Sequence, residues 1–309
     1  MCYTVLIIRK GVCYSMAQLY TIENDRIKVT VSDQGAEMVS LIGKKDNTEY
    51  LWQGDPTYWT GHAYNLFPIC GRLTEGKYTY KGKTYEMNLH GFFRKSHVDM
   101  EKKTAHTLSF HMAASEATLK IYPFHFDFTL TYTLVDDTVV TTFDVRNDGS
   151  EEMIFAVGGH PGFNLPIGGQ GTFEDYYLEF DEPSDTEKLV MSETCYFTGK
   201  TEPFALEDGK KLALRHNLFD HDAIFLTNIC REITLKSDKT DKFVHLSFPD
   251  MKYVGFWHKP ETEAPYVCIE PWTSTPAIDG VVDDFATKHD MFHLPAGETY
   301  TNSFSITVG

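Results

Sequence analysis

Basic residues are scarce in this sequence. The chain has 309 residues, of which 28 are Lys or Arg and 44 are Asp or Glu, so its formal net charge is −16 at pH 7. A protein this acidic repels the phosphate backbone of nucleic acids and the anionic surface of membranes. Neither is therefore expected as a partner.

Long apolar runs are missing too. The best candidate, residues 5–8, is too short for a signal peptide and is followed, on the wrong side, by Arg9 and Lys10. The six cysteines form no CxxC pair, so reduced thiols are expected in place of disulfides or a zinc ribbon. These absences predict a cytoplasmic protein.

Several catalytic and cofactor motifs are also absent. The chain has no GxGxxG or GxxxxGK[ST] loop for a nucleotide, no GxSxG nucleophile and no HxH or HExxH metal motif. We therefore expect no nucleotide cofactor, no nucleophilic hydrolase chemistry and no catalytic metal.

Alternation with a period of two is the strongest pattern present. Across residues 122–134 the even positions are all aromatic or leucine, as a strand with one buried face requires. Asp136 and Asp137 supply a turn, and alternation resumes from Val139 to Val145, which predicts an antiparallel hairpin. Shorter alternations recur up to residues 304–308.

A helix is indicated only at residues 278–288, where Pro276 precedes and Val281, Val282 and Phe285 form one apolar face. No linker or change of composition divides the chain. The predicted fold class is therefore all-β, a large antiparallel β-sandwich forming a single domain over residues 16–309. Residues 1–15, which precede the patterned sequence, are interpreted as a disordered or extraneous N-terminal extension.

Four segments place polar residues among Gly, Pro and aromatics where a simple strand would alternate: 65–72, 88–94, 158–166 and 268–273. Their central residues are Arg72, His90, His160 and Glu270. Each has a structural explanation when taken alone, as a hydrogen-bonded loop histidine, a strand-end acid or a salt-bridged arginine. Together, two imidazoles, a carboxylate and a guanidinium are suited to paired acid–base chemistry near neutral pH.

Aromatic residues in or near these segments have two interpretations. Phe67, Phe163 and Trp272 can stack on the apolar face of a sugar ring, or they can be ordinary core residues. The sequence leaves both open.

The order of these motifs resembles the aldose 1-epimerase (galactose mutarotase) family, and most closely its LacX-like branch. The resemblance extends over residues 19–309. It is carried by the motifs Leu89-His90-Gly91, His160-Pro161-Gly162-Phe163-Asn164-Leu165 and Ile269-Glu270-Pro271-Trp272, with Asn65 and Gly71-Arg72 upstream.

The resemblance implies a galactose mutarotase-like supersandwich with a sugar cleft and no cofactor. Its implied activity is interconversion of the α and β anomers of a free hexose such as galactose or glucose. By the same resemblance His160 is the general acid, Glu270 is the base, and His90 lies against the sugar near the reacting oxygens.

The resemblance also implies the residues that bind the sugar. Arg72 and Asn65 fall in the upstream motif, and an aspartate within residues 219–225 grips a further hydroxyl. Asp222 is favoured for that role over Asp220.

Two departures from the family pattern bear on the substrate. Gly162 stands where many members carry Tyr, and Phe92 stands where many have a second Gly. The segment ending in Arg94 is similar to the related hexose-6-phosphate mutarotases, and Arg94 with Arg72 would suit a phosphate group.

Two hypotheses lie outside the epimerase class. One is a non-catalytic carbohydrate-binding protein. The other is a glycosidase, which needs two carboxylates about 5–9.5 Å apart, whereas only Glu270 lies in a motif. The sequence leaves the oligomeric state open.

Overall fold

The computed structural model describes residues 8–9, 12–13 and 17–309. The strands in this part of the chain are β1 (Ile8–Arg9), β2 (Val12–Cys13), β3 (Leu19–Glu23), β4 (Ile27–Ser32), β5 (Met38–Gly43), β6 (Thr48–Glu49), β7 (Ala63–Leu66), β8 (Lys77–Tyr80), β9 (Lys83–Glu86), β10 (Asp99–Lys103), β11 (Thr107–Ala113), β12 (Phe126–Val135), β13 (Thr138–Asn147), β14 (Met153–Phe155), β15 (Gly158–Asn164), β16 (Tyr176–Phe180), β17 (Glu187–Met191), β18 (Phe197–Pro203), β19 (Lys211–Ala213), β20 (Ile224–Thr227), β21 (Glu232–Ser237), β22 (Thr240–Ser247), β23 (Tyr253–Trp257), β24 (Tyr266–Trp272), β25 (Phe292–Leu294) and β26 (Thr299–Val308).

Helices are short. Within the described residues the only α-helix is α1 (Glu116–Leu119), which begins with a capping box formed by Ser115 and Thr118. The 3-10 helices are Thr74–Gly76, Phe93–Lys95, Ile167–Gly169, Phe173–Asp175 and His216–Phe219. No described helix has the length and apolar character needed to cross a membrane.

Two large antiparallel sheets make up most of the molecule. One has nine strands in the order β10-β11-β12-β13-β26-β22-β21-β16-β19, and the other has seven in the order β18-β17-β20-β23-β24-β15-β7. A four-stranded sheet, β3-β4-β5-β6, and the two-stranded pairs β1-β2, β8-β9 and β14-β25 complete the described strands.

The nine-stranded and seven-stranded sheets pack face to face. Phe304 of β26 approaches Gly159 of β15 so closely that a Cβ on the glycine would lie 2.6 Å from the phenylalanine ring. Phe67, directly after β7, stacks on Phe128 of β12 with ring centroids 4.6 Å apart. The main hydrophobic core therefore fills the space between these sheets.

The opposite face of the seven-stranded sheet carries a second, smaller apolar cluster. Trp52, Ala264, Tyr266 and Cys268 form it, and three further aromatic side chains pack against it. Both faces of this sheet are thus covered, which is why every residue of β24 is buried.

The all-β, antiparallel fold class predicted from the sequence is confirmed. The predicted hairpin is β12–β13, in which Val135 pairs with Thr138 and Asp136 adopts a positive φ of 52° at the turn. The first strand begins later than predicted, at Phe126. Pro123, which lacks a backbone N–H, interrupts the pattern, and Tyr122 instead donates its backbone N–H to Thr118 at the end of α1.

The helix predicted at residues 278–288 is wrong. Gly280 has a φ of +70°, and backbone groups here bond to other segments: Asp279 donates its N–H to Phe197, and Phe285 donates to Thr79. Val281, assigned to the apolar face, is 46% exposed. Bonds to distant strands have replaced the local bonds of a helix.

Two further predictions concern the cysteines and the N-terminal extension. Cys70, Cys195, Cys230 and Cys268 are free thiols, which confirms the reduced state predicted for these four. The proposed extension, residues 1–15, lies outside the described residues except for the short strands β1 and β2.

Candidate active site

Two neighbouring strands bring the predicted acid and base together. In the β15–β24 pair Gly162 is opposite Cys268, and this antiparallel register places His160 opposite Glu270. Side chains that face each other in this way have Cβ atoms about 4.5–5.5 Å apart. His160 Nε2 lies 3.4 Å from Glu270 Oε2.

The pair lines a cavity of about 250 Å³. His160 is 7% exposed and Glu270 is 2% exposed, so the two groups are shielded from bulk water. The other predicted site residues on its wall are His90, Arg72, Arg94 and Asp222.

His90 enters this cavity from a strained turn. It has a φ of +62°, and its Nδ1 accepts a hydrogen bond from the backbone N–H of Gly71 at 3.1 Å. In the neutral ring the proton must therefore lie on Nε2. The ring is perpendicular to that of His160, with centroids 5.3 Å apart.

Gly162, one of the departures from the family pattern, makes room for a tryptophan. A Cβ at Gly162 would lie 2.9 Å from the Trp59 ring, and that ring stacks on His160 with centroids 5.0 Å apart. Phe92, the other departure, is 9% exposed and packs against Phe67 in the core. Only the first departure therefore reshapes the cavity.

Burial controls the protonation of the site. It lowers the pKa of His160 to about 3, and the positive charge of Arg94 acts in the same direction. Burial, with His160 and the nearby arginines, holds the pKa of His90 well below its ordinary range. Burial, reinforced by the charge of Asp222, raises the pKa of Glu270 well above its ordinary range. These shifts favour neutral imidazoles and a protonated Glu270, because burial penalises every charged form.

One wall of the cavity carries an ion pair. Arg72 Nη2 donates to Asp222 Oδ2 at 3.2 Å, and Arg72 Nη1 donates to the backbone oxygen of Thr194 at 3.2 Å. Asp222 lines the cavity, whereas Asp220 does not. Of the two candidate aspartates, only Asp222 therefore faces this space.

Arg94 borders the cavity from the turn after His90. Its Nε donates to the backbone oxygen of Leu89 at 3.2 Å, and its guanidinium lies 5.0 Å from the centroid of the Tyr64 ring. Arg72 and Arg94 thus face the same cavity, and hydrogen bonds to other protein groups hold each of them in place.

Asn65 lies outside this space, and its predicted role as a substrate contact is corrected. Its side chain is 2% exposed and donates to the backbone oxygen of Ala36 at 2.9 Å and to the Tyr132 hydroxyl at 2.8 Å. Its amide group ties β7 to the rest of the fold.

The three aromatic residues considered for stacking on a sugar ring differ in position. Trp272 lines the cavity, while Phe67 and Phe163 are fully buried core residues.

Sequence reasoning missed most of the aromatic wall. Trp59, Tyr64, Phe225 and Trp257 line the cavity with Trp272. The chain has four tryptophans, and three of them are here. That scarcity was a usable signal, since tryptophan is enriched at binding surfaces.

Within the described residues, one group of side chains has the spacing of a metal site. Ligand atoms of His160, Cys268 and Glu270 lie within 4.8 Å of one another, and all three residues are buried. Elsewhere, His216 contacts His258, with Nδ1 3.1 Å from Nε2.

A buried imidazole–carboxyl pair in an aromatic-walled cavity is suited to acid–base chemistry. The model of the aldose 1-epimerase family matches residues 18–306. The chain belongs to this family.

Individual relatives agree. Protein LacX (chromosomal) of Lactococcus lactis subsp. lactis is 32% identical over 302 residues, covering 93% of this chain and 98% of that protein. The solved structure of a galactose mutarotase related enzyme from Lactobacillus acidophilus has a TM-score of 0.89 at 35% identity, covering 94% of this chain and 97% of that chain. A galactose mutarotase-like protein from Lactobacillus casei has a TM-score of 0.88 at 32% identity, covering 94% and 100%.

These comparisons confirm the resemblance drawn from the motifs and the galactose mutarotase-like fold. They support an enzyme of the epimerase type with a mutarotase-type function.

Proposed function

We propose that the protein is an aldose 1-epimerase that interconverts the α and β anomers of a free hexose such as galactose or glucose. The observation that carries this proposal is the 3.4 Å contact between His160 Nε2 and Glu270 Oε2 inside the cavity. Opening a pyranose requires proton transfer at two oxygens that are bonded to the same carbon, the C1 hydroxyl and the ring oxygen. An acid and a base held side by side suit that substrate.

The proposed reaction conserves protons. Glu270, as the carboxylate, takes the proton of the C1 hydroxyl, while His160, as the imidazolium, protonates the ring oxygen as its bond to C1 breaks. The open-chain aldehyde rotates about C1–C2. The reverse transfers then close the ring on its other face.

The resting protonation of the pair is compatible with these roles. Moving one proton from Glu270 to His160 converts the neutral pair into the ion pair, with no change in total charge. A sugar hydroxyl that donates to the carboxylate stabilises its charged form. His160 Nδ1 is buried and has no hydrogen-bond partner among the described residues.

The remaining wall offers what a hexose needs. Arg72, Asp222 and the Nε2–H of His90 supply donors and an acceptor for sugar hydroxyls. Trp59 and Trp272 supply flat apolar surfaces for the C–H face of the ring. We therefore assign His160 and Glu270 to proton transfer, and His90, Arg72 and Asp222 to substrate contact.

Polarimetry on freshly dissolved α-glucose and α-galactose tests the proposal, with NMR anomer exchange as a second readout. We expect the approach to anomeric equilibrium to accelerate in proportion to protein concentration. Sugar binding without acceleration would favour a carbohydrate-binding protein. Release of a reducing sugar from a glycoside would favour a glycosidase.

A hexose 6-phosphate is the second candidate substrate, because Arg72 and Arg94 line one cavity. Arg72 is already paired with Asp222, so Arg94 is the decisive residue. On this alternative, Arg94→Ala raises KM for glucose 6-phosphate about tenfold to a hundredfold, the worth of a charge-assisted hydrogen bond, and leaves glucose unaffected. Arg146→Ala, at a half-exposed arginine, is the control. Equal effects on both sugars exclude the phosphosugar.

A further inference from the structure

Lys288 is a buried lysine that the proposed reaction does not use. It is 5% exposed, and its ammonium group donates a hydrogen bond to the backbone oxygen of Thr275 at 2.8 Å. The next residue, Pro276, lines the catalytic cavity. Lysine side chains are rarely buried to this extent, and this one is attached directly to the cavity wall.

Residues 275–277 pack against the loop that carries Gly71 and Arg72. A Cβ at Gly71 would lie 2.7 Å from Cγ of Pro276, so the proline ring lies directly against the glycine. Ala277 donates its backbone N–H to the backbone oxygen of Arg72 at 2.9 Å. The segment to which the buried ammonium group is bonded therefore supports this loop.

The same loop holds the groups assigned to substrate contact. Gly71 donates its N–H to His90 Nδ1 at 3.1 Å, and its backbone oxygen accepts the N–H of His90 at 2.7 Å. Arg72 pairs with Asp222 through its guanidinium. The positions of His90, Arg72 and Asp222 in the cavity therefore depend on one short loop and on its support.

A buried acid lies near the buried lysine. Asp283 is 8% exposed. Burial lowers the pKa of Lys288, and the negative charge of Asp283 opposes that shift. Burial raises the pKa of Asp283, and Lys288 opposes it in turn. Apolar residues of similar volume often stabilise a fold as well as two buried charges do, so stability alone does not explain this pair.

We propose that Lys288 is a positioning residue that acts on the substrate-contact groups through its hydrogen bond to Thr275. The inference rests on the proposed function, in which Arg72 and His90 contact the sugar. Loss of this hydrogen bond should weaken substrate binding, because the loop that carries Arg72 loses its support. Proton transfer by the acid–base pair should remain largely intact.

The first test separates positioning from stability by removing both buried charges. Lys288→Met alone leaves Asp283 without its partner and should destabilise the protein. In the double variant Lys288→Met/Asp283→Asn no unpaired charge remains, so the midpoint of urea unfolding should recover toward the wild-type value. Polarimetry should still show KM for the hexose raised about threefold to tenfold, the worth of one hydrogen bond, with kcat per folded molecule near the wild-type value.

Asp283→Asn alone provides the opposite contrast. It removes the buried acid but keeps the hydrogen bond from Lys288 to Thr275, so it should lower stability and leave KM unchanged. Because KM does not depend on the fraction of molecules that are folded, Lys288→Met gives the same comparison if the double variant folds poorly. Lys103→Met, at an exposed lysine of β10, is the matched control.

The NMR signal of the Gly71 backbone amide is a second readout. This amide donates to His90, so its signal should shift in Lys288→Met/Asp283→Asn and stay in place in Lys103→Met. A wild-type KM in the double variant, or an equal rise in KM for Asp283→Asn alone, would overturn the positioning role and leave the proposed function standing. A wild-type protein that accelerates anomer exchange of no sugar would overturn the proposed function, and this inference with it.

Discussion

The two faces of strands β15 and β24 differ in chemistry although the same two strands build them. On the inner face, Gly159 and Ile269 meet the nine-stranded sheet in the main core. On the outer face, His160 and Glu270 meet each other in the cavity. Both faces are buried, but only the outer one contains titratable groups.

This difference teaches how the fold makes an acid–base site. Side chains alternate between the faces of a strand, so a polar residue at every second position leaves the core untouched. The backbone of the seven-stranded sheet fixes the positions of His160 and Glu270. The aromatic side chains of the outer cluster cover them on the other side and exclude water. On the proposed function, the outer face governs turnover and the inner face governs stability, and the predictions below separate these roles.

Glu270→Gln is expected to have the largest effect on turnover. The amide cannot accept the proton of the C1 hydroxyl, and losing one proton-transfer group reduces the rate about 10²- to 10⁴-fold, or about 3–5 kcal/mol of barrier. Sugar binding, measured by calorimetry, should persist. Glu263→Gln, at an exposed glutamate, is the control, and retained turnover in Glu270→Gln would remove the base assignment.

His160→Asn should reduce turnover by a similar or slightly smaller factor. Asparagine keeps a polar group beside Glu270 but cannot deliver a proton to the ring oxygen. NMR anomer exchange measures the rate, with His106→Asn at an exposed histidine as the control. Normal activity would mean that another group supplies the proton.

The pH profile should distinguish a buried pair from exposed groups. In its active state the His160–Glu270 pair holds one transferable proton. Activity is lost at low pH only when a second proton binds to the pair, at His160. Because burial lowers the pKa of His160 to about 3, kcat/KM should stay constant as pH falls through about 6.5, where an ordinary histidine titrates. At high pH, activity is lost only above the raised pKa of Glu270.

Anomer exchange, corrected for the buffer rate, gives this profile, and far-UV circular dichroism checks that the fold persists at low pH. A half-maximal loss near 6.5 would contradict the lowered pKa of His160, because an ordinary histidine titrates there.

The sequence predicts those strands that have one buried face. β12 and β13 have a clear period of two because one side of each lies on the core and the other is partly exposed. β24 is buried on both faces, so its sequence offers only the short alternation of Val267 and Ile269, and the motif around Glu270 is the clearer signal. The neighbour of β13 in the sheet, β26, lies far away in sequence, so local patterns cannot give the strand order.

The residues of the site also differ in how far the sequence predicts them. His160, Glu270 and His90 stand in recognisable motifs, and the structure brings them together. Trp59 belongs to no motif and no strand, and it covers His160 only because Gly162 lacks a side chain. Asn65 lies in a motif but is used for the fold. Contacts across separate segments decide both cases, and a linear pattern does not record them.

Gly159→Ala tests the inner face and should have the smallest effect on catalysis. Its new Cβ would lie 2.6 Å from the Phe304 ring, and overpacking of a core costs about 1–3 kcal/mol of stability. Urea unfolding should therefore show a lower midpoint, while kcat per folded molecule remains near the wild-type value, since His160 points to the other face.

Phe304→Leu provides the matched partner for a double-mutant cycle. The smaller side chain removes the clash, so the double variant should lose less stability than the sum of the two single variants. If Gly159→Ala instead abolished turnover in a protein of unchanged stability, the two faces would not be independent, and the separation of stability from chemistry across β15 would be wrong.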